Sequence, residues 1–184
     1  MKMQVFRCFP QGAVLFLAVL LTVACVKNRS EVTVPRMETA EEQFNLAEEK
    51  YQQYRGMVPP EMRPRLERET IAAFEMVIQR YPENDRFTPL AKLRLAFMEK
   101  FRGETKAALK SFDRLIEEYP DNDLVQVYSI YNAGIICDDL KKFKKAKEYY
   151  RLALTPRFLN HPNEEIRNMA NYCQTLARQI RSTE

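Results

Sequence analysis

The chain has 184 residues, 46% hydrophobic and 29% charged, with a formal net charge of +4 and only four glycines. This balance excludes a disordered polypeptide, and so little glycine leaves scant material for phosphate-cradling loops. Lys, Glu, Leu, Ala and Arg dominate after residue 38 and alternating β-branched runs are nearly absent, so the expected fold class is all-α, in one domain or one short repeat array.

The chain begins MKMQVFRCFPQ, with Lys2 and Arg7 as its only charges, and continues with an unbroken apolar stretch from Gly12 to Ala24. As a helix that stretch would reach about 20 Å, short of the ~30 Å hydrocarbon core of a bilayer. A basic start, a short apolar run and small residues at its end describe an export signal, with a retained anchor as the alternative. Leu21-Thr22-Val23-Ala24-Cys25 resembles the lipobox of bacterial lipoproteins. The resemblance implies a signal peptide over 1–24, cleavage after Ala24, and acyl chains on Cys25. That lipid is the only covalent group expected, and no cofactor or metal is. Several acyl chains would hold the protein at a membrane stably, since each buried methylene contributes about 0.8 kcal/mol. Val26 follows the cysteine where such families carry aspartate for inner-membrane retention, which favours a periplasm-facing place on the outer membrane. Losing Lys2 and Arg7 would lower the net charge from +4 to +2, removing the case for a nucleic-acid partner.

Residues 25–38 comprise the acylated cysteine and VKNRSEVTVPRME, which has no helical stripe and reads as a flexible tether. A helical domain over 39–184 follows. Thr39 with Glu42 forms a capping-box signature, and Phe44, Ala47 and Tyr51 recur on one helical face.

The octapeptides IQRYPEND (78–85) and IEEYPDND (116–123) then set an offset of 38 residues. At the same offset Phe74 maps onto Phe112, Ala96 onto Gly134, Ala108 onto Ala146 and Phe112 onto Tyr150. Small residues allow close helix approach, aromatics fill the space between pairs, and Tyr-Pro ends each second helix. Asp123 and Thr88 are the expected N-caps of the helices that follow. Small residue, turn glycine (Gly103), alanine, aromatic and proline in this order resemble the tetratricopeptide repeat. The resemblance implies an antiparallel helix-pair solenoid with repeats at about 39–85, 86–123 and 124–162 and a capping helix at 163–184. Lys141 stands where the third copy should carry its turn glycine, and RGMVPPEMRPR (55–65) is an insertion in the first.

Little here suggests catalysis. The single histidine, His161, lies in an Asn-His-Pro loop and reads as a solvated turn residue, and no HExxH, GxSxG or glycine-rich phosphate loop is present. No enzyme activity and no small-molecule substrate are expected. Cys137 and Cys173 are either small core residues or a disulfide pair. The basic run Lys141–Lys147 reads as a solvated turn, or as a contact for anionic headgroups or an acidic partner.

In tetratricopeptide arrays the first helix of each pair lines a concave groove for a protein or peptide partner. Carried onto this chain, that face comprises Phe44 and Tyr51, then Leu93, Phe97 and Phe101, then Tyr128, Tyr131 and Ile135, an aromatic set suited to an interface. It lacks the Lys/Asn clamp of repeats that grip a terminal carboxylate. Acylated cysteine, tether and helix pairs together resemble the outer-membrane lipoproteins that include BamD and the Tol-Pal accessory proteins. The expected role is a membrane-anchored protein–protein interaction scaffold in envelope assembly. An accessory lipoprotein of a pilus or secretion machine is the alternative, with an envelope regulator or enzyme as a third.

Overall fold

The structure, a computed structural model, describes residues 32–181. The expected signal peptide and Cys25 lie outside the described residues. Within them the chain forms eight helices and no strand: α1 (Ala40–Arg55), α2 (Arg63–Arg80), α3 (Phe87–Phe101), α4 (Thr105–Glu118), α5 (Asp123–Asp139), α6 (Phe143–Leu152), the single-turn α7 (Pro156–Leu159) and α8 (Glu164–Arg181). None of them is long and apolar enough to cross a membrane. Consecutive helices pack on one another from α1 through to α6, the first helices of successive pairs (α1, α3, α5) touch, and α8 closes the array against α5 and α6, with α7 packed on α8. This is a helical solenoid of the tetratricopeptide type.

The octapeptides do the joining. Both second helices end at tyrosine, where the Tyr81 N–H donates to the Val77 carbonyl and the Tyr119 N–H to that of Leu115. Each tyrosine carbonyl then accepts from the asparagine three residues on, at 3.0 Å from Asn84 N and 3.2 Å from Asn122 N. It also accepts from the side chain seven residues on, Thr88 in one unit and Gln126 in the next. Asn122 Oδ1 caps α5, accepting from Val125 N at 3.1 Å, and Asn84 Oδ1 holds the turn that leads into α3, accepting from Arg86 N at 3.2 Å and Phe87 N at 2.7 Å. The expected cap Asp123 is therefore corrected to Asn122, and Thr88 lies inside α3, where the cap position is Arg86 and the entering turn is held by Asn84. A short amide side chain reaches the exposed N–H groups just as an acid does, and in each motif it stands one residue earlier than the acid.

Small residues sit where helices meet most closely. Ala96, Ala108, Ala133 and Ala146 are buried, and a Cβ on Gly134 would lie 2.3 Å from Tyr150 Cε1. Phe74, Phe112 and Tyr150 are fully buried between the helices. Burying each such ring stabilises the fold by about 1.5–3 kcal/mol. Helix α5 is apolar around most of its circumference, as expected of a helix enclosed by α4, α6 and α8. Gly103 turns the second pair at φ +76°, and Lys141 adopts the same left-handed conformation, φ +60°, in the third. Cys137 and Cys173 are buried free thiols, and burial pushes both up, Cys173 to about 12.

Two expectations need correction. The tether is not free up to residue 38: Val34 is buried, Gln43 donates to the Pro35 carbonyl and accepts from the Met37 N–H, and the Tyr81 hydroxyl donates to the Met37 carbonyl. Three hydrogen bonds to neighbours within the first pair thus strap 34–37 onto the helical body. Nor is His161 a solvated residue. Its side chain is 19% exposed, with Nε2 3.0 Å from Asp123 Oδ2 and Nδ1 accepting from the Asn163 N–H. Asp123 also takes Arg157, so the loop after α6 is pinned to the start of α5.

Candidate functional site

A cleft of about 370 Å³ opens on the side of the array formed by α1, α3 and α5. Helical spacing explains its lining. Leu90, Leu93, Arg94, Phe97 and Phe101 recur every three or four residues along α3, as do Leu124, Tyr128, Tyr131 and Asn132 along α5, while α1 supplies Tyr51 and Arg55. Of the eight residues expected on this face, the cleft brings together Tyr51, Leu93, Phe97, Phe101, Tyr128 and Tyr131. Phe44 and Ile135 do not line it. Phe44 is buried against Phe74 and Phe87, and Ile135 is half-buried against the core.

Exposure divides these six. Tyr51 and Leu93 are buried, so they form the floor. Phe97, Tyr128 and Tyr131 are half-buried, and Phe101 is 55% exposed at the rim. Phe97 stacks edge-on against Tyr128, centroids 6.1 Å apart, and also meets Phe112 of α4 at 5.7 Å. It therefore belongs to both the cleft wall and the core.

Charge was less legible from the sequence. Arg55, Arg94, Lys100 and Glu165 line the same cleft and were not singled out by counting aromatics. Following the α3 face past Phe97 to its charged neighbours would have found Arg94 and Lys100. Arg94 lies 5.4 Å over the Tyr51 ring and 5.9 Å from that of Phe97, and its Nε is 2.8 Å from Glu48 Oε2. Arg55 sits 5.7 Å over Tyr51 and 5.9 Å over Phe101. Such contacts draw the guanidinium to the ring faces. Lys100 Nζ donates to Asn132 Oδ1 at 2.8 Å, and Asn132 in turn donates to the Tyr128 carbonyl. A lysine and an asparagine thus meet on a face that the sequence reading left without such a pair.

The phenols are neutral donors at physiological pH. Burial, reinforced by the Glu165 carboxylate that accepts the Tyr128 hydroxyl at 2.6 Å, pushes Tyr128 up to about 12. Burial also raises Tyr51 and Tyr131. It lowers Lys100, and the more distant Asp139 offsets only part of that. Rings, hydroxyl donors and cations converge here without a nucleophile held against a base. The arrangement suits non-covalent binding.

Residues 90–122, from α3 through α4 to the Asn122 cap, match the family described as the tetratricopeptide repeat. The class is thereby an all-α interaction scaffold built on helix pairs, of a kind that binds protein or peptide partners. No curated protein and no solved structure matches the chain.

Proposed function

We propose that this protein is a lipid-anchored scaffold of the bacterial cell envelope, accessory to outer-membrane or envelope assembly. In this reading the α1–α3–α5 cleft docks a segment of a partner protein while acyl chains on Cys25 confine the encounter to the membrane surface. Confinement raises the effective concentration of the partner, so modest affinity suffices. The observation that carries the reading is the cleft itself: half-exposed Phe97, Tyr128 and Tyr131, with Phe101 at the rim, lie over a buried floor. Surplus aromatic surface of this type is what interfaces concentrate.

The two halves of the proposal are tested separately. Metabolic labelling with a fatty-acid analogue should mark the wild type and not Cys25→Ala; an unlabelled wild type removes the anchor. Crosslinking in intact cells should then capture envelope proteins that are lost in a Phe97→Ala/Tyr131→Ala double variant whose helical circular dichroism is unchanged. A captured set indifferent to those two changes removes the cleft as the docking site.

A further inference from the structure

Resting on the cleft as the docking site, one further step concerns the chemistry of what docks there. The three cations of the cleft are not equally satisfied. Arg94 has the Glu48 carboxylate at 2.8 Å. Arg55 makes its contacts through ring faces, and among the described residues it forms no ion pair. Lys100 is held by the neutral amide oxygen of Asn132. That oxygen is turned toward the ammonium because the amide nitrogen is engaged by the Tyr128 carbonyl. An ammonium carries three N–H groups, so two remain beyond the bond to Asn132. Burial depresses the Lys100 pKa, which shows a charge drawn out of water with incomplete compensation.

Against these stands one carboxylate on the cleft lining, Glu165, and it illustrates how an acid engages this surface, by accepting the Tyr128 hydroxyl. Two uncommitted cations beside five aromatic side chains are too few for a phosphate backbone, which needs a row of them. They match a protein segment in which one or two acids adjoin an apolar residue. We propose that the cleft takes a partner segment carrying Asp or Glu beside an apolar or aromatic side chain, with the acid on Lys100 and Arg55 and the apolar group against Phe97, Phe101 and Tyr131. A carboxylate there would supply Lys100 with a charged acceptor, and charge-assisted bonds are the stronger ones.

The test is selection of a random-peptide display library on the full chain. Selected peptides should be enriched in Asp and Glu next to apolar residues and depleted in Lys and Arg. Synthetic copies should bind about tenfold more weakly to Lys100→Met, which keeps the apolar stem, and about tenfold more weakly when their acids are changed to Asn and Gln, a tenfold change being about 1.4 kcal/mol. Binding should fall with added salt. Peptides selected without acid enrichment, or indifferent to Lys100→Met, overturn the acidic partner and leave the cleft reading standing. Peptides indifferent to Tyr131→Ala bind elsewhere and overturn both. A library that yields no ligand, while crosslinked partners still depend on Phe97 and Tyr131, overturns the linear acidic segment alone. Preferential binding of single-stranded nucleic acid over every peptide likewise overturns it.

Discussion

On one flank of α5, Gly134 lets the Tyr150 ring lie against the helix backbone, and nothing there reaches solvent. On the flank lined by the cleft, Tyr128 and Tyr131 are only partly buried. The same helix thus carries residues committed to packing and residues in excess of it. The difference teaches how to separate stability from binding in this molecule, because changes on the first flank should unfold the array and changes on the second should spare it.

Alkaline pH should give the largest effect, greatest on the packed side and joined by the cleft tyrosines Tyr128 and Tyr131, which burial raises as well. Burial, with the Asp113 carboxylate accepting the Tyr149 hydroxyl, raises Tyr149, and burial with Asp138 nearby raises Tyr150, both well above the ordinary value of 10. The folded state therefore holds protons that the unfolded chain releases. Their stabilisation is fully present below pH 10 and is lost above it, at about 1.4 kcal/mol per pH unit for each such tyrosine. Lys100, shifted the other way, offsets a part. Urea midpoints should fall steadily above pH 10, less steeply in Tyr150→Phe, and an unchanged midpoint to pH 11.5 (about one and a half units above the ordinary value) would contradict the burial of these phenols.

Gly134→Ala comes next. Its Cβ would overlap a buried ring that cannot withdraw, so a loss of about 1–3 kcal/mol in urea denaturation is expected. Tyr131→Ala, on the open flank, should cost about 1 kcal/mol or less while abolishing partner capture. Equal losses of stability from the two would erase the distinction. Asn122→Ala removes the cap at the start of α5, affects both flanks alike, and should cost about 1 kcal/mol. At the other end, Lys141→Gly relieves a left-handed backbone that glycine adopts freely, and a gain of about 0.5–1 kcal/mol should appear as a higher Tm.

Much of this was legible in the chain because a repeat states each structural demand more than once. The 38-residue offset placed Ala96 with Gly134 and Phe112 with Tyr150, and the structure uses each pair for close approach and filling. The cap of α5 falls on Asn122 and not on Asp123 because Asn and Asp stand side by side and each is competent, and only the geometry shows which meets the N–H groups; Thr88, inside α3, instead bonds back to the Tyr81 carbonyl. His161 looked solvated because its partner, Asp123, is distant in sequence, and nothing local announces such a contact. In the cleft, aromatic spacing identified the walls, whereas Arg55, Lys100 and Glu165 come from three helices whose approach is a property of the solenoid. Val34, Pro35 and Met37 carried no helical pattern, so their strap onto Gln43 and Tyr81 could not be read from periodicity.

The pinning of Arg157 and His161 to Asp123 has a consequence for measurement. It sets the path of the chain into α8, and α8 brings Glu165 to the hydroxyl of Tyr128 at the cleft. Fraying of the C-terminal helix and occupancy of the cleft are then two sides of one linkage. Any ligand that competes for the Tyr128 hydroxyl should quicken amide hydrogen exchange in the first turn of α8, and any that tolerates Glu165 should slow it.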